Sequence, residues 1–183
     1  LKQISSPLLD DLSLKQFLLL INHVKPSKIR IEADEVTYNM HIIIRYQIEL
    51  ALFNNDLEVV DLPEIWNQKY KEYLGLKIDN DTEGIMQDTH WASGYYGYFP
   101  SYAIGNIYSG QILQALKNNL NNYKNKISLG KIKAINQWLK QNVQSYGSLY
   151  DPNELIEKIS GEKINAQPYL DYLNDKYQKL YNI

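Results

Sequence analysis

The sequence has no cysteine, only three histidines and no long apolar run. Without cysteine there is no disulfide, no thiolate metal site and no Cys nucleophile, and the chain suits a reducing compartment. The longest apolar run, Phe17 to Ile21, is far too short to span a bilayer, and no secretory h-region opens the chain. A cytoplasmic protein with no membrane partner is therefore expected. His23, His41 and His90 are widely scattered and no His-Glu-x-x-His occurs, so these residues are expected to bind no metal by themselves. A P-loop, a Rossmann glycine fingerprint and a Gly-x-Ser-x-Gly elbow are also missing. Net charge is -2 and the lysines are dispersed, which argues against a nucleic-acid partner. Repeats, low-complexity tracts and Pro/Gly/Ser linkers are absent, so residues 1–183 are read as a single domain. The chain opens on Leu1 rather than Met, a hint of truncation.

What is present is helical periodicity, and sixteen tyrosines against three phenylalanines. Ser13 is placed to cap a helix over 14–24 that Pro26 ends. A second helix is predicted from Ala33 or Asp34 to Phe53, with Val36, Met40, Ile43, Ile44, Ile48 and Ala51 as its apolar stripe. A third starts near Pro63 and stops at Gly75. Periodicity then vanishes from Ile78 to Tyr98, a stretch long enough to suggest function. It returns over 100–119, 128–145, 152–161 and 167–181. No hairpin signal competes, and the fold class is all-α.

Three segments could carry chemistry. In Ile29-Arg30-Ile31-Glu32-Ala33-Asp34-Glu35, the acids suit a helix start, whereas Arg30 lies between isoleucines and must snorkel or find an anion. Tyr38, His41, Arg45 and Glu49 fall in one row along the second helix, which reads more readily as internal pairing than as a site. The Gly84–Trp91 segment and the tyrosines at 95, 96, 98 and 102 either stabilise charge on a ligand or cover a core edge. From pattern alone these two readings are level.

IRIEADEVTYNMHIIIRYQIE, DLPEIWNQKYKEYLG, GIMQDTHW and GYFPSYAIGNIY, in that order, resemble the C-terminal region of the carboxypeptidase Taq family of metallocarboxypeptidases. Looser similarity runs through WLKQNV, YDPNELIEKISGE and PYLDYL. Ile-Arg-x-x-Ala-Asp and Gly-x-x-Gln-Asp-x-His-Trp are its most specific motifs. Ser101 stands where the family commonly has Thr, and Tyr95 and Tyr96 stand where a small residue and Phe are usual.

The resemblance implies one helical lobe of a two-lobed zinc-peptidase fold that hydrolyses the C-terminal peptide bond. Zinc and the general base would belong to a His-Glu-x-x-His region absent from this chain, zinc polarising the carbonyl and acidifying its water. His90 and Tyr98 are implied as catalytic, stabilising the oxyanion. Arg30 is implied as the anchor of the substrate carboxylate, with Gln87 and Tyr95 beside it as substrate-binding residues. The expected partners are a peptide C-terminus and the missing N-terminal region, with a homodimer open. The chain alone is expected to be inactive, and the groove wall around Trp91 and residues 95–102 to be exposed, leading to self-association or disorder. The alternative is a non-catalytic helical peptide-binding or interaction module.

Overall fold

The structure is a computed structural model that describes Leu9 and residues 11–183; the opening at Leu1 lies outside them. Among the described residues there are eight α-helices, four short 3-10 turns and no strand, as the all-α reading expected. None of these helices is long and apolar enough to cross a membrane. The backbone forms two compact units. One comprises the described residues up to Ala103 with Tyr177–Ile183, the other Ile104–Lys176.

In the first unit, α1 (Leu14–Ile21) opens with a capping box. The Gln16 amide N–H donates to Ser13 Oγ, and the Ser13 amide donates to Gln16 Oε1 at 2.9 Å. It stops at Asn22, sooner than Pro26 required: the Asn22 backbone leaves helical geometry at φ -123, and its side-chain Nδ2 donates to the Leu18 carbonyl at 2.9 Å. Helix α2 (Tyr38–Phe53) begins four residues after Asp34. Arg30–Glu32 form a 3-10 turn instead. Asp34 accepts the amide N–H of Val36 and of Thr37, both at 2.9 Å, so it caps a turn ahead of the helix rather than entering it. Helix α3 (Leu62–Leu74) carries Pro63 in its first turn, as expected.

The core of this unit is built where α2 meets α3. Trp66, Tyr70 and Leu74 repeat at four-residue spacing and pack on Ile44, Ile48 and Ile78. Two residues of the expected α2 stripe, Ile44 and Ile48, are fully buried. So are His41 and Arg45 on the neighbouring face. Helix α2 is therefore enclosed by oil on one side and by a polar cluster on the other.

In the second unit lie the greater part of α4 (Pro100–Asn119), α5 (Tyr123–Ser128), α6 (Lys133–Asn142), α7 (Pro152–Ser160) and most of α8 (Gln167–Tyr181). The helix expected over 128–145 is two helices. Gly130 at φ +67 lets the Lys131 amide reach back to the Lys126 carbonyl at 2.7 Å, which closes α5 before α6 can start. Helix α7 has Pro152 at its start, an Asp151–Glu154 capping box and Gly161 as its left-handed end. Gln111 is fully buried on α4 and accepts the Asn165 amide while donating to the Lys163 carbonyl, both at 3.0 Å.

Candidate functional site

Asp88 is the centre of the polar cluster in the first unit. Its Oδ1 accepts from Arg30 Nη2 at 2.8 Å, and its Oδ2 from Arg45 Nε at 2.7 Å. Arg45 Nη2 lies 2.6 Å from the same Oδ2. Burial pushes the Asp88 carboxyl up, but the hydrogen bond from Arg30 and the charges of both arginines outweigh it and hold the group below the ordinary carboxylate value. One carboxylate cannot neutralise two guanidiniums. The surplus positive charge meets aromatic faces: Arg30 sits 5.0 Å from the Tyr102 ring centroid, and Arg45 4.6 Å from that of Trp66.

Gln87 locks this cluster to the backbone. Its Oε1 accepts the Arg30 amide at 2.9 Å and Arg45 Nη2 at 2.8 Å, while its Nε2 donates to the Lys28 and Glu83 carbonyls. Behind it, Arg45 Nη1 donates to the His41 carbonyl, and His41 Nδ1 lies 3.0 Å from the Tyr70 hydroxyl. Burial, then the charges of Arg45 and Arg30, lower the His41 pKa to about 4, so the imidazole is neutral at pH 7. The row Tyr38, His41, Arg45, Glu49 is thus paired within the protein. Tyr38 receives Arg30 Nη1 at 3.1 Å, and Glu49 receives the Trp91 indole N–H at 3.1 Å and the Gly97 amide.

In front of this network lies a shelf of hydroxyl-bearing rings. His90 follows the Asp88 turn; its ring centroid is 4.5 Å from Phe99 and 5.7 Å from Tyr98, and its Nε2 is 3.0 Å from the Tyr102 hydroxyl. Tyr98 packs against Tyr102 at 5.4 Å and Tyr95 at 5.9 Å. Tyr98 and Tyr95 are 46% and 59% exposed, while His90 stays mostly covered.

The structure brings all five expected site residues into this one unit, in two layers. Tyr95, Tyr98 and His90 belong to the shelf. Arg30 and Gln87 lie behind it and spend most of their hydrogen-bonding capacity on Asp88, Tyr38 and backbone carbonyls. Among the described residues, Arg30 Nη1 donates only to Tyr38 and Nη2 only to Asp88, which leaves one further N–H on each. Trp91, expected on an exposed wall, instead turns inward against Trp66 and Phe99. Tyr95, Tyr96 and Tyr98 do remain exposed. The sequence singled out no role for Asp88, and it grouped Tyr102 with the other tyrosines without separating it from them. Asp88 was readable as the acid between a glutamine and a histidine in the Gly84–Trp91 segment; Tyr102 only as the residue one helical turn after Tyr98. Among the described residues, no three His, Asp or Glu side chains group so that they could hold a metal ion. The described residues therefore do not fit a metal centre, and what they offer is hydrogen bonding and charge placement.

A family model described as carboxypeptidase Taq (M32) metallopeptidase matches residues 1–177. The chain belongs to the carboxypeptidase Taq family. It is 47% identical over 171 residues to Carboxypeptidase 1 of Bacillus subtilis, covering 93% of this chain and 34% of that protein. It is 43% identical over 173 residues to Thermostable carboxypeptidase 1 of Thermus thermophilus, covering 94% and 34%. Among solved structures, a family carboxypeptidase from Deinococcus radiodurans superposes with a TM-score of 0.94 at 33% identity, covering 100% of this chain and 37% of that one. The Pyrococcus furiosus carboxypeptidase gives 0.92 at 35% identity, covering 96% and 35%. The chain thus spans about a third of the length of these carboxypeptidase Taq relatives.

Proposed function

We propose that this chain supplies the substrate-facing part of a metallocarboxypeptidase that hydrolyses the C-terminal peptide bond of peptides. The observation that carries the reading is the shelf of His90, Tyr95, Tyr98 and Tyr102 held in front of a charge cluster centred on Asp88. Preorganised donors in such a setting stabilise charge developing on a substrate oxygen without reorganising at the moment of reaction. Tyr98 and His90 are assigned that role. Tyr95, more exposed, lines the approach. Arg30 meets the substrate carboxylate through the further N–H on each of its terminal nitrogens. Gln87, with both ends of its amide engaged, holds Arg30 and Arg45 in place rather than touching the peptide.

The metal that the family's name implies is taken to be zinc, held by residues of a longer enzyme outside this chain. It would polarise the scissile carbonyl when bound. The chain by itself is accordingly proposed to be inactive, with the rest of the enzyme as its partner and a cytoplasmic setting carried over from the sequence. A homodimer remains part of the proposal.

The test is steady-state kinetics on the complete enzyme with a peptide bearing a free C-terminus. Tyr98→Phe and His90→Ala should each lower kcat roughly a hundred- to a thousandfold, the usual loss for one such donor. Wild-type turnover in both variants would sink the reading. Turnover by the isolated chain supplied with zinc would remove the division of labour.

A further inference from the structure

We propose that His90 acts on the substrate through Tyr102. The imidazole donates from Nε2 to the Tyr102 hydroxyl, and that hydroxyl donates to the oxygen on which charge develops. The inference rests on the carboxypeptidase reading above and deepens it.

Both nitrogens of His90 are closed to a direct approach. Nδ1 is buried, makes no hydrogen bond and lies 3.9 Å from Asp88 Oδ1, beyond hydrogen-bonding reach. Nε2 is taken by Tyr102 at 3.0 Å. The ring is held on three sides by Tyr98, Phe99 and Tyr102, so turning it outward means breaking an aromatic cluster. A histidine enclosed in this way reaches a ligand through its partner. The partner is suited to the task, because a phenol accepts one hydrogen bond and donates another. When Nε2 supplies the proton in the first bond, the Tyr102 O–H is left to point to a third atom.

Tyr102 is also fixed in place. It sits in the first turn of α4, its ring lies under the Arg30 guanidinium, and it meets Tyr98 edge to face. Arg30 is in turn pinned by Asp88 and the Gln87 amide, which fix the position of the hydroxyl. Burial raises the pKa of the Tyr102 phenol above its ordinary value, which keeps it protonated and able to donate.

The experiment is a double-mutant cycle on the complete enzyme. Tyr102→Phe deletes the hydroxyl and leaves the ring beneath Arg30. It should lower kcat roughly a hundredfold, with KM within about twofold of wild type and an unchanged melting temperature. Combined with His90→Ala, it should fall no more than about twofold below the poorer single variant, since both break one relay. Losses that multiply would show two independent contributions and overturn the proposal. So would a Tyr102→Phe enzyme that melts well below wild type, or one fully active while Tyr102→Leu fails, because the residue would then only pack. If Tyr102→Phe is active while His90→Ala and Tyr98→Phe are impaired, Tyr102 alone is removed and the carboxypeptidase reading stands. If all three are active, both fall.

Discussion

Asp88 Oδ2 lies 2.6 Å from Nη2 of Arg45, a side chain with no exposed surface. An arginine so enclosed is tolerable only while its counter-charge is present. Breaking a buried pair from one side typically costs about 3–5 kcal/mol, because the surviving ion is left without compensation. Here one deletion strands two cations. Asp88→Ala is expected to lose at least the lower end of that range in urea unfolding.

The pH dependence of the same contact has a definite sign. The folded-state pKa of Asp88 is depressed, so its contribution is present above the ordinary value of 3.8 and lost as pH falls through the lower folded value. His41 acts in a different window. Its folded pKa is about 4 against an ordinary 6.5, so the unfolded chain binds more protons between those values and stability falls as pH drops from 6.5 toward 4. The His41 contribution is on the order of 3 kcal/mol. Unfolding free energies measured across that interval should flatten in His41→Asn, which cannot titrate. An unchanged slope would assign the dependence to other groups.

Gly110 touches the backbone of another helix in the second unit. A Cβ added there would stand 2.7 Å from the backbone N and Cα of Tyr169, in α8. Backbone cannot yield as the end of a side chain can. Gly110→Ala should therefore destabilise by about 1–3 kcal/mol or more, the usual range for overpacking, despite the helix propensity it gains. A thermal melt would show it. A variant as stable as wild type would mean that α4 and α8 separate here without cost.

Glu49 ties down the loop that carries the tyrosines, accepting from the Trp91 indole and the Gly97 amide. With Glu49→Ala both donors lose their acceptor and the 91–98 segment loses two fastenings. Limited proteolysis should then cut within that segment several-fold faster, with the first cleavages near the exposed Tyr95 and Tyr96. Equal cleavage rates would place the restraint in the aromatic packing of Trp91.

The sequence made the helices legible where capping and apolar spacing agree: Ser13 with Gln16, Pro63 with Gly75, and Asp151 with Pro152 and Gly161. It failed where a short-range hydrogen bond overrode periodicity. Asp34 stands at an apparent helix start and instead closes a turn, and Gly130 splits an apolar stripe that would otherwise read through. The candidate site was legible as a set of residues, since the two motifs and the following tyrosines all fall in one cluster. Their division into layers was not. Whether Arg30 faces a ligand or a buried acid depends on Asp88, 58 positions later, and no local pattern encodes that distance. The polar face of α2 was legible as paired, though not the carboxylate that pairs it.

That sequence separation also bears on the order of folding. Arg30 and Asp88 cannot meet until the chain between them has closed a long loop, and the entropy of closure must be met before the contact returns anything. Helices α2 and α3 lie within that loop, and their local contacts can form first. The ring shelf rests on the completed cluster, so it should be among the last parts of the first unit to acquire native order. A nascent or partly unfolded chain would then present its tyrosines before it could hold them in register.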